Sequence, residues 1–145
     1  MGNSKNSIIL DKSFKFAVRI IKLYQYLCKE KKEFVLSKQI LRSGTSIGAN
    51  VEEAHGGISD SDFSNKISLA YKESRETHYW LRLLNAADNI DKKCSILLLK
   101  TVKSLVRFYF SILKTARINN RKIISNYFIC YLLFTIYYLI WLTGY

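Results

Sequence analysis

The absence of proline is the feature that most restricts the fold of this 145-residue chain. Proline breaks helix interiors because it lacks a backbone N–H and clashes with the preceding turn. Glycine, the other common interruption, occurs only six times. The chain is also long enough to bury a core without disulfide bonds. The sequence therefore favours long, uninterrupted helices over turn-rich β structure.

Four segments of the sequence repeat apolar residues at steps of three and four, the period of an amphipathic α-helix. Residues 1–9 are expected to be a loosely held lead-in to the first. The expected helices are about 18 residues from Asp11 or Ser13, Ser37 to His55, Ser59 or Asp60 to about Asn85, and Asp91 to about Ile118, with polar caps at most starts. Short connections between such helices predict an all-α fold, an antiparallel up-down four-helix bundle at residues 1–120.

The apolar stripes predict which residues form the core of this bundle. In the third helix the steps alternate like a heptad repeat, at Phe63, Ile67, Ala70, Ser74, Thr77, Leu81 and Leu84. The stripe of the first helix comprises Phe14, Ala17, Val18, Ile21, Tyr24 and Leu27, or near neighbours. Those of the second and fourth helices comprise Ile40, Leu41, Ile47 and Val51, and Ile96, Leu99, Val102, Val106, Tyr109 and Leu113.

The second helix carries a run of small residues between Arg42 and Gly57. Gly44 and Gly48 stand four residues apart, so they share one helix face. In an exposed helix each would cost about 1 kcal/mol relative to alanine. The face therefore either packs closely against a neighbouring helix or receives a ligand. Close packing is the favoured interpretation, and leucine at position 48 is expected to overpack it.

Five polar residues of the second and third helices are interpreted as a network that ties these two helices together: Arg42, Asn50, Glu53, Glu73 and Glu76. Buried polar groups need hydrogen-bond or charge partners. Glu73 and Glu76 are three residues apart and share a helix face. A polar network of this kind can set the register between helices.

No residue pattern supports catalysis, a metal site or a cofactor. Glu52 and Glu53 are adjacent, so on a helix they point about 100° apart and cannot act on one substrate. A di-metal carboxylate bundle needs Glu-x-x-His on two helices, and only Glu52 with His55 has that spacing. The three cysteines lack metal-ligand spacing, and no phosphate-binding glycine loop is present. We therefore predict no catalytic, metal-binding or cofactor-binding residues.

The formal net charge of +12 points to an anionic partner: nucleic acid, an anionic membrane surface or an acidic protein. Basic residues are concentrated on the first and fourth helices, which are neighbours in a simple bundle. The candidate nucleic-acid-binding residues are Lys15, Lys22, Lys29, Lys92, Lys93, Lys100, Lys103, Arg107 and Lys114. They are expected to form one basic surface that neutralises phosphates without reading sequence. A merely solvated face and a lipid-binding face remain as alternatives.

Residues 121–145 are predicted to form an extra hydrophobic C-terminal helix. Every Lys, Arg, Asp and Glu lies at positions 1–122, and none lies at 123–145. An uncharged stretch of roughly 20 residues can span a membrane. The basic residues before it would hold the bundle on the cytoplasmic side of the inner membrane. Three interpretations stay open: a membrane anchor at 123–142, a buried or oligomer-facing fifth helix, and an atypical extension of a cytoplasmic domain.

The second and third helices each carry a motif. The first motif is an Arg followed by small residues, Ser-Ile-Gly and Asn-Val-Glu-Glu, and the second spans Phe63 to Leu84. The residues that carry these motifs are Arg42, Ser46, Ile47, Asn50, Glu53, Glu73, Glu76, Trp80 and Leu81. Together they resemble the bacterial 23S rRNA intervening-sequence proteins over about residues 10–118. Gly48 stands where many members have proline, and Ala54 where many have glycine.

The resemblance implies a non-enzymatic helical bundle that assembles as a ring, typically a homopentamer. Some members of the family are encoded inside inserts in the large-subunit rRNA gene. A related branch, the accessory variability determinants of diversity-generating retroelements, binds a reverse transcriptase and nucleic acid. The resemblance thus implies as partners other copies of this chain, RNA or DNA, and a reverse transcriptase or another protein.

Overall fold

The computed structural model describes the backbone of residues 3–143 and the side chains of residues 8–119, 121, 129, 131 and 132. It contains four α-helices: α1 (Asn3–Lys29), α2 (Leu36–His55), α3 (Asp60–Ala86) and α4 (Lys92–Thr143). No strand occurs within residues 3–143. The predicted all-α fold is confirmed.

Hydrogen bonds between side chains establish which helices are neighbours. Ser13 of α1 and Tyr109 of α4 are hydrogen-bonded through their hydroxyls at 2.8 Å, and Arg19 Nη1 donates to Thr101 Oγ1 at 3.1 Å. Residue numbers therefore rise along α1 as they fall along α4, so these helices run antiparallel. The predicted adjacency of the first and fourth helices is confirmed.

The other helix pairs follow the same antiparallel order. Gly44 of α2 lies against Ile20 of α1, and the Tyr71 and Phe110 rings of α3 and α4 have centroids 6.2 Å apart. The hydroxyl of Thr77 in α3 donates to that of Ser43 in α2 at 3.0 Å. Each helix thus packs against the helices next to it in the sequence, and α4 also packs against α1. This is the predicted up-down four-helix bundle.

The helix starts are set by side-chain caps. Ser59 Oγ accepts from the Asp62 N–H at 3.1 Å, and Asp91 Oδ2 accepts from the N–H groups of Lys93 and Cys94 at 2.9 and 3.2 Å. Each bond satisfies a backbone donor that a helix N-terminus leaves unpaired. Both caps were among the residues that the sequence predicts.

The start of α2 uses a device that the sequence analysis does not identify. The carboxylate of Glu33 accepts from the N–H groups of Val35, Leu36 and Ser37 at 2.9, 2.8 and 2.6 Å. Partial burial opposes ionisation of this carboxyl, but the backbone donors outweigh it, so the pKa of Glu33 is lowered. Glu33, which lies in the charged connection after α1, therefore caps the N-terminus of α2.

The core confirms the stripe of the third helix and corrects those of the first and fourth. Six of the seven predicted α3 residues, from Ile67 to Leu84, are buried. In α1, however, Phe14 is 63% exposed while Phe16 and Ile20 are buried. In α4, Ile96 is 66% exposed. The first and fourth helices have apolar residues at adjacent positions, so their periodicity fits more than one rotation about the helix axis, and packing decides.

The predicted extra C-terminal helix is wrong, because α4 continues without a break from Lys92 to Thr143. Neither proline nor glycine occurs between these residues, so nothing in the local sequence ends the helix. The expected loose lead-in at residues 1–9 is likewise wrong, because α1 begins at Asn3. The chain divides into two compact units, Met1–Ile112 and Leu113–Tyr145.

The membrane-anchor prediction falls on residues 123–142, most of whose side chains lie outside those the structure describes. Among the residues that are described, no helix combines the length and apolar character needed to cross a membrane. The described side chains of this stretch, Ile129, Tyr131 and Leu132, are exposed.

Candidate nucleic-acid interface

The small-residue face of α2 packs against α1. A Cβ atom added at Gly44 would lie 2.8 Å from both Cγ1 and Cγ2 of Ile20, closer than carbon atoms can approach. At Gly48 the added atom would lie 3.7 Å from the Ser13 carbonyl oxygen and 3.8 Å from Ala17 Cβ, in ordinary contact. The space beside Gly44 is thus filled by the core, which leaves no cavity for a ligand there.

Three residues of the predicted polar network, Asn50, Glu53 and Glu76, bond to partners outside it. The Asn50 side chain donates to the Ser46 carbonyl oxygen of its own helix at 2.8 Å. Glu76 Oε1 accepts from Trp80 Nε1 at 3.0 Å, again within one helix. Of the five, Glu53 bonds across to α3, where it forms an ion pair with Lys66.

Glu73 has carboxylate and guanidinium neighbours that act on its charge in opposite directions. Partial burial and the nearby carboxylate of Glu76 raise the pKa of Glu73, while Arg42 opposes this rise. Arg42 itself is exposed. The positive charge of Arg42 in α2 therefore acts on the carboxylate of Glu73 in α3. The buried hydrogen bond between α2 and α3 connects Ser43 and Thr77, which the sequence analysis assigns to no network.

All nine candidate nucleic-acid-binding residues are exposed. Among the side chains that the structure describes, two ion pairs occur: Lys15 with Asp11 at 2.8 Å, and Lys66 with Glu53. The chain has 23 Lys and Arg residues against 11 Asp and Glu residues. The exposed cations are therefore largely available to an anionic partner.

Four basic residues of α1 and α4 line two different grooves: Arg19 and Lys22 line one, and Lys103 and Arg107 line the other. Thr101 of α4 faces α1, where it bonds Arg19. Lys103 and Arg107 instead face α3. Thr101 and Lys103 are two residues apart, which places them about 200° apart around the helix axis and so on opposite flanks of α4. Lys100 shares the flank of Lys103 and Arg107 because the three follow each other at steps of three and four.

The groove between α3 and α4, here called the α3–α4 groove, has a volume of about 360 Å³. Four cationic side chains line it, two from each helix, and no carboxylate does: Arg75, Arg82, Lys103 and Arg107, together with His78, Tyr79 and Val106. The guanidinium of Arg75 lies 5.9 Å from the centroid of the Tyr71 ring, which helps to hold it in place. Arg75 and Arg82 were not among the candidate residues predicted from the sequence. They lie three residues before and four residues after His78, so all three share one flank of α3.

His78 of α3 also lines this groove. Its Nε2 atom is buried without a hydrogen-bond partner among the described residues. Burial, together with the nearby cations Lys103 and Arg82, lowers the pKa of His78. The groove therefore presents four positive charges around an imidazole whose buried Nε2 atom has no partner among the described residues.

A second groove, of about 370 Å³, lies between α1 and α4. Arg19 and Lys22 line it from α1, whereas α4 contributes Cys94 and Leu97, and Asp91 lies at its edge. This lining is more apolar than that of the α3–α4 groove and includes a carboxylate. Of the nine candidate residues, Lys22 lines this groove, and Lys103 and Arg107 line the α3–α4 groove, which has more cations.

Within the part of the chain that the structure describes, no group of three or more His, Cys, Asp or Glu side chains could hold a metal ion. Glu52 and His55, which share the spacing of half a metal motif, are both exposed at the end of α2. The geometry that stands out is thus the cationic lining of the α3–α4 groove.

Comparisons with known proteins bear on what this groove is for. The model of the family described as 23S rRNA-intervening sequence protein matches residues 5–110. A crystal structure of a protein of unknown function from the S23 ribosomal protein family of Bacteroides thetaiotaomicron is 47% identical, with a TM-score of 0.73. That match covers 76% of this chain and 98% of the other. No curated protein matches the chain significantly.

Proposed function

Since the chain belongs to the 23S rRNA-intervening sequence protein family, we propose that it is a non-enzymatic helical bundle that binds the phosphate backbone of RNA or DNA. The observation that carries this proposal is the α3–α4 groove, which four cations line without a carboxylate. Arg and Lys side chains are the usual phosphate contacts in nucleic-acid complexes.

The charge distribution supports backbone binding over recognition of bases. The cations lie in a groove between two helices. Phosphate contacts of this kind supply affinity without sequence information, and their strength falls steeply with salt. Further exposed lysines of α4, namely Lys92, Lys93 and Lys100, add positive charge along the same helix.

We further propose that the chain acts as a homo-oligomer, a ring of five copies as the family resemblance implies. Such a ring would repeat the α3–α4 groove around its axis, so that one nucleic acid could engage several grooves at once. Apolar side chains remain exposed on a single copy, among them Phe14, Ile96 and Leu97. Surfaces of this kind are candidates for contacts between copies or with a protein partner, such as a reverse transcriptase.

The test is a binding titration of the full-length chain against labelled RNA and DNA oligonucleotides of two unrelated sequences at low salt. The proposal predicts that both sequences bind with similar affinity. A variant that removes two groove cations, Arg82→Gln with Lys103→Gln, should bind several-fold more weakly. The matched control, Lys38→Gln with Lys72→Gln, removes the same charge from exposed positions outside the groove.

Three outcomes would contradict the proposal. They are no binding at low salt, equal weakening by the groove variant and by its control, and binding to anionic lipid vesicles in place of nucleic acid. The last result would instead favour attachment of the bundle to the inner membrane, which the uncharged stretch at 123–145 suggests as a second candidate. Circular dichroism and size-exclusion chromatography would establish that both variants keep the native fold and oligomer size.

A further inference from the structure

His78 is unusual because it is a titratable side chain held among cations. Arg75 and Arg82 flank it on α3, and Lys103 and Arg107 face it from α4. The groove lining includes no residue of α1 or α2 and no carboxylate. Nothing in the groove therefore balances the positive charge around the imidazole.

One nitrogen of the imidazole also lacks a hydrogen-bond partner. Its Nε2 atom is buried and has no hydrogen-bond partner among the residues described. A neutral imidazole can donate from one ring nitrogen, and a protonated one donates from both. Buried polar atoms in native proteins nearly always have partners, and an orphan is commonly explained by a bound water, ion or ligand.

A phosphate group would satisfy both conditions. Its oxygens accept hydrogen bonds from guanidinium, ammonium and imidazole N–H groups, and its charge offsets the cations. The groove volume of about 360 Å³ accommodates a group of this size together with its hydration water. A cationic ligand does not fit this lining, because four cations would repel it.

We propose that the α3–α4 groove is a phosphate-binding site in which His78 takes up a proton when phosphate binds, so that binding tightens as the pH falls. The phosphate could belong to a nucleic acid or be free in solution, because the groove presents the same cations to both. A phosphodiester keeps one negative charge over this pH range, whereas free phosphate titrates near neutral pH, so the pH dependence of affinity is measured with the oligonucleotide. Where the phosphate belongs to a nucleic acid, this inference rests on the proposed function.

The direction of the pH effect follows from the charges. In the empty groove, burial and the cations Lys103 and Arg82 disfavour the imidazolium and lower the pKa of His78. A bound phosphate reverses the sign of the local field and raises that pKa. By linkage, affinity then rises as the pH falls, by about tenfold for each unit by which binding raises the pKa.

Proton NMR of the full-length chain tests this inference directly, because the chain contains only two histidines. The C2 proton of each imidazole is followed from acid to mildly alkaline pH at constant ionic strength, with sodium chloride alone and with added inorganic phosphate. A second arm uses a short oligonucleotide without terminal phosphates. His55, exposed at the end of α2, is the internal reference, and His55→Gln assigns the two signals.

We expect both anions to raise the pKa of His78 by about one unit relative to His55. The oligonucleotide should bind several-fold more tightly near pH 5.5 than near pH 8, and the gain approaches tenfold only well below the pKa of His78 in the free chain. His78→Gln cannot titrate, so it should bind with little dependence on pH, whereas His55→Gln should keep the native dependence. The NMR measurement uses the native chain, so it remains decisive even where a variant folds poorly.

The outcomes separate this inference from the proposed function. A pKa of His78 that phosphate and oligonucleotide leave unchanged relative to His55 overturns the site, even where the oligonucleotide binds elsewhere on the chain. Phosphate that raises the pKa of His78 while no oligonucleotide binds supports the site and refutes the nucleic-acid function. A raised pKa in both arms supports both.

Discussion

The packing of α2 against α1 gives a prediction in which the same substitution has opposite effects at two positions. Gly44→Ala is expected to destabilise the bundle, whereas Gly48→Ala is expected to stabilise it. Both glycines lie inside α2, so alanine improves the intrinsic helix propensity at each by about 1 kcal/mol. The difference must therefore come from what the added methyl group contacts.

At Gly44 the added Cβ would lie 2.8 Å from two carbon atoms of Ile20, and Ile20 is fully buried. Both are γ carbons of a β-branched side chain with little freedom to rotate, so the backbones must separate. Overpacking of this kind costs about 1–3 kcal/mol, and the severity of the contact favours the upper half of that range. After the gain in propensity, the net destabilisation is about 1–2 kcal/mol.

At Gly48 the nearest atoms would lie at 3.7 and 3.8 Å, which is ordinary van der Waals contact. No overpacking offsets the propensity gain, so Gly48→Ala should raise the free energy of unfolding by about 0.5–1 kcal/mol. The two alanine variants should therefore differ by about 2 kcal/mol in the free energy of unfolding.

Urea denaturation followed by circular dichroism measures this difference, with equal slopes establishing that midpoints report stability. Ile20→Ala supplies the control for the mechanism, because it removes both γ carbons. In that background Gly44→Ala should no longer destabilise, which gives a coupling energy of about 2 kcal/mol in a double-mutant cycle. Equal effects of alanine at positions 44 and 48, or no coupling to Ile20, would refute the packing argument.

Two further predictions concern polar groups of the bundle. Glu33→Gln should destabilise the bundle by about 1 kcal/mol at neutral pH, because it weakens the cap of α2. The pKa of Glu33 lies below its ordinary value of 4.5, so the stability difference between native chain and variant should vanish as acid protonates the carboxyl. Equal urea midpoints of the two proteins at neutral pH would contradict this prediction. Tyr109→Phe should lower the free energy of unfolding by about 0.5–1.5 kcal/mol, because it removes a buried hydrogen bond. The Ser13 hydroxyl donates to the Ile9 carbonyl oxygen, so the Tyr109 hydroxyl must donate to Ser13. An unchanged melting temperature would show that this bond contributes nothing.

The sequence predicts the fold well because its local signals agree with each other. The helix period, the caps at Ser59 and Asp91 and the absence of proline all indicate the same four helices. The stripe of α3 is predicted correctly at six of its seven residues, because its regular steps of four and three fit one rotation of the helix. The stripes of α1 and α4 are less certain, since Phe14 and Phe16, for example, are both apolar and only tertiary packing determines which one is buried.

The candidate site is less predictable because it depends on the geometry between helices. The sequence identifies Lys103 and Arg107 as exposed cations, but it places them beside α1. Their actual neighbours, Arg75 and Arg82, become apparent only when the rotation of α4 is known. Likewise, Glu53 was expected in a network with Glu73 and Glu76, but long side chains select partners by distance, and it pairs with Lys66.

The salt dependence of oligonucleotide binding tests most directly whether the α3–α4 groove holds nucleic-acid phosphates. For single strands the slope of log affinity against log salt is about −0.7 for each phosphate that a cation neutralises. Removing two groove cations with Arg82→Gln and Lys103→Gln should therefore make the slope shallower by about 1.4, while Lys38→Gln with Lys72→Gln leaves it unchanged. Parallel plots for the native chain and the groove variant would contradict this account.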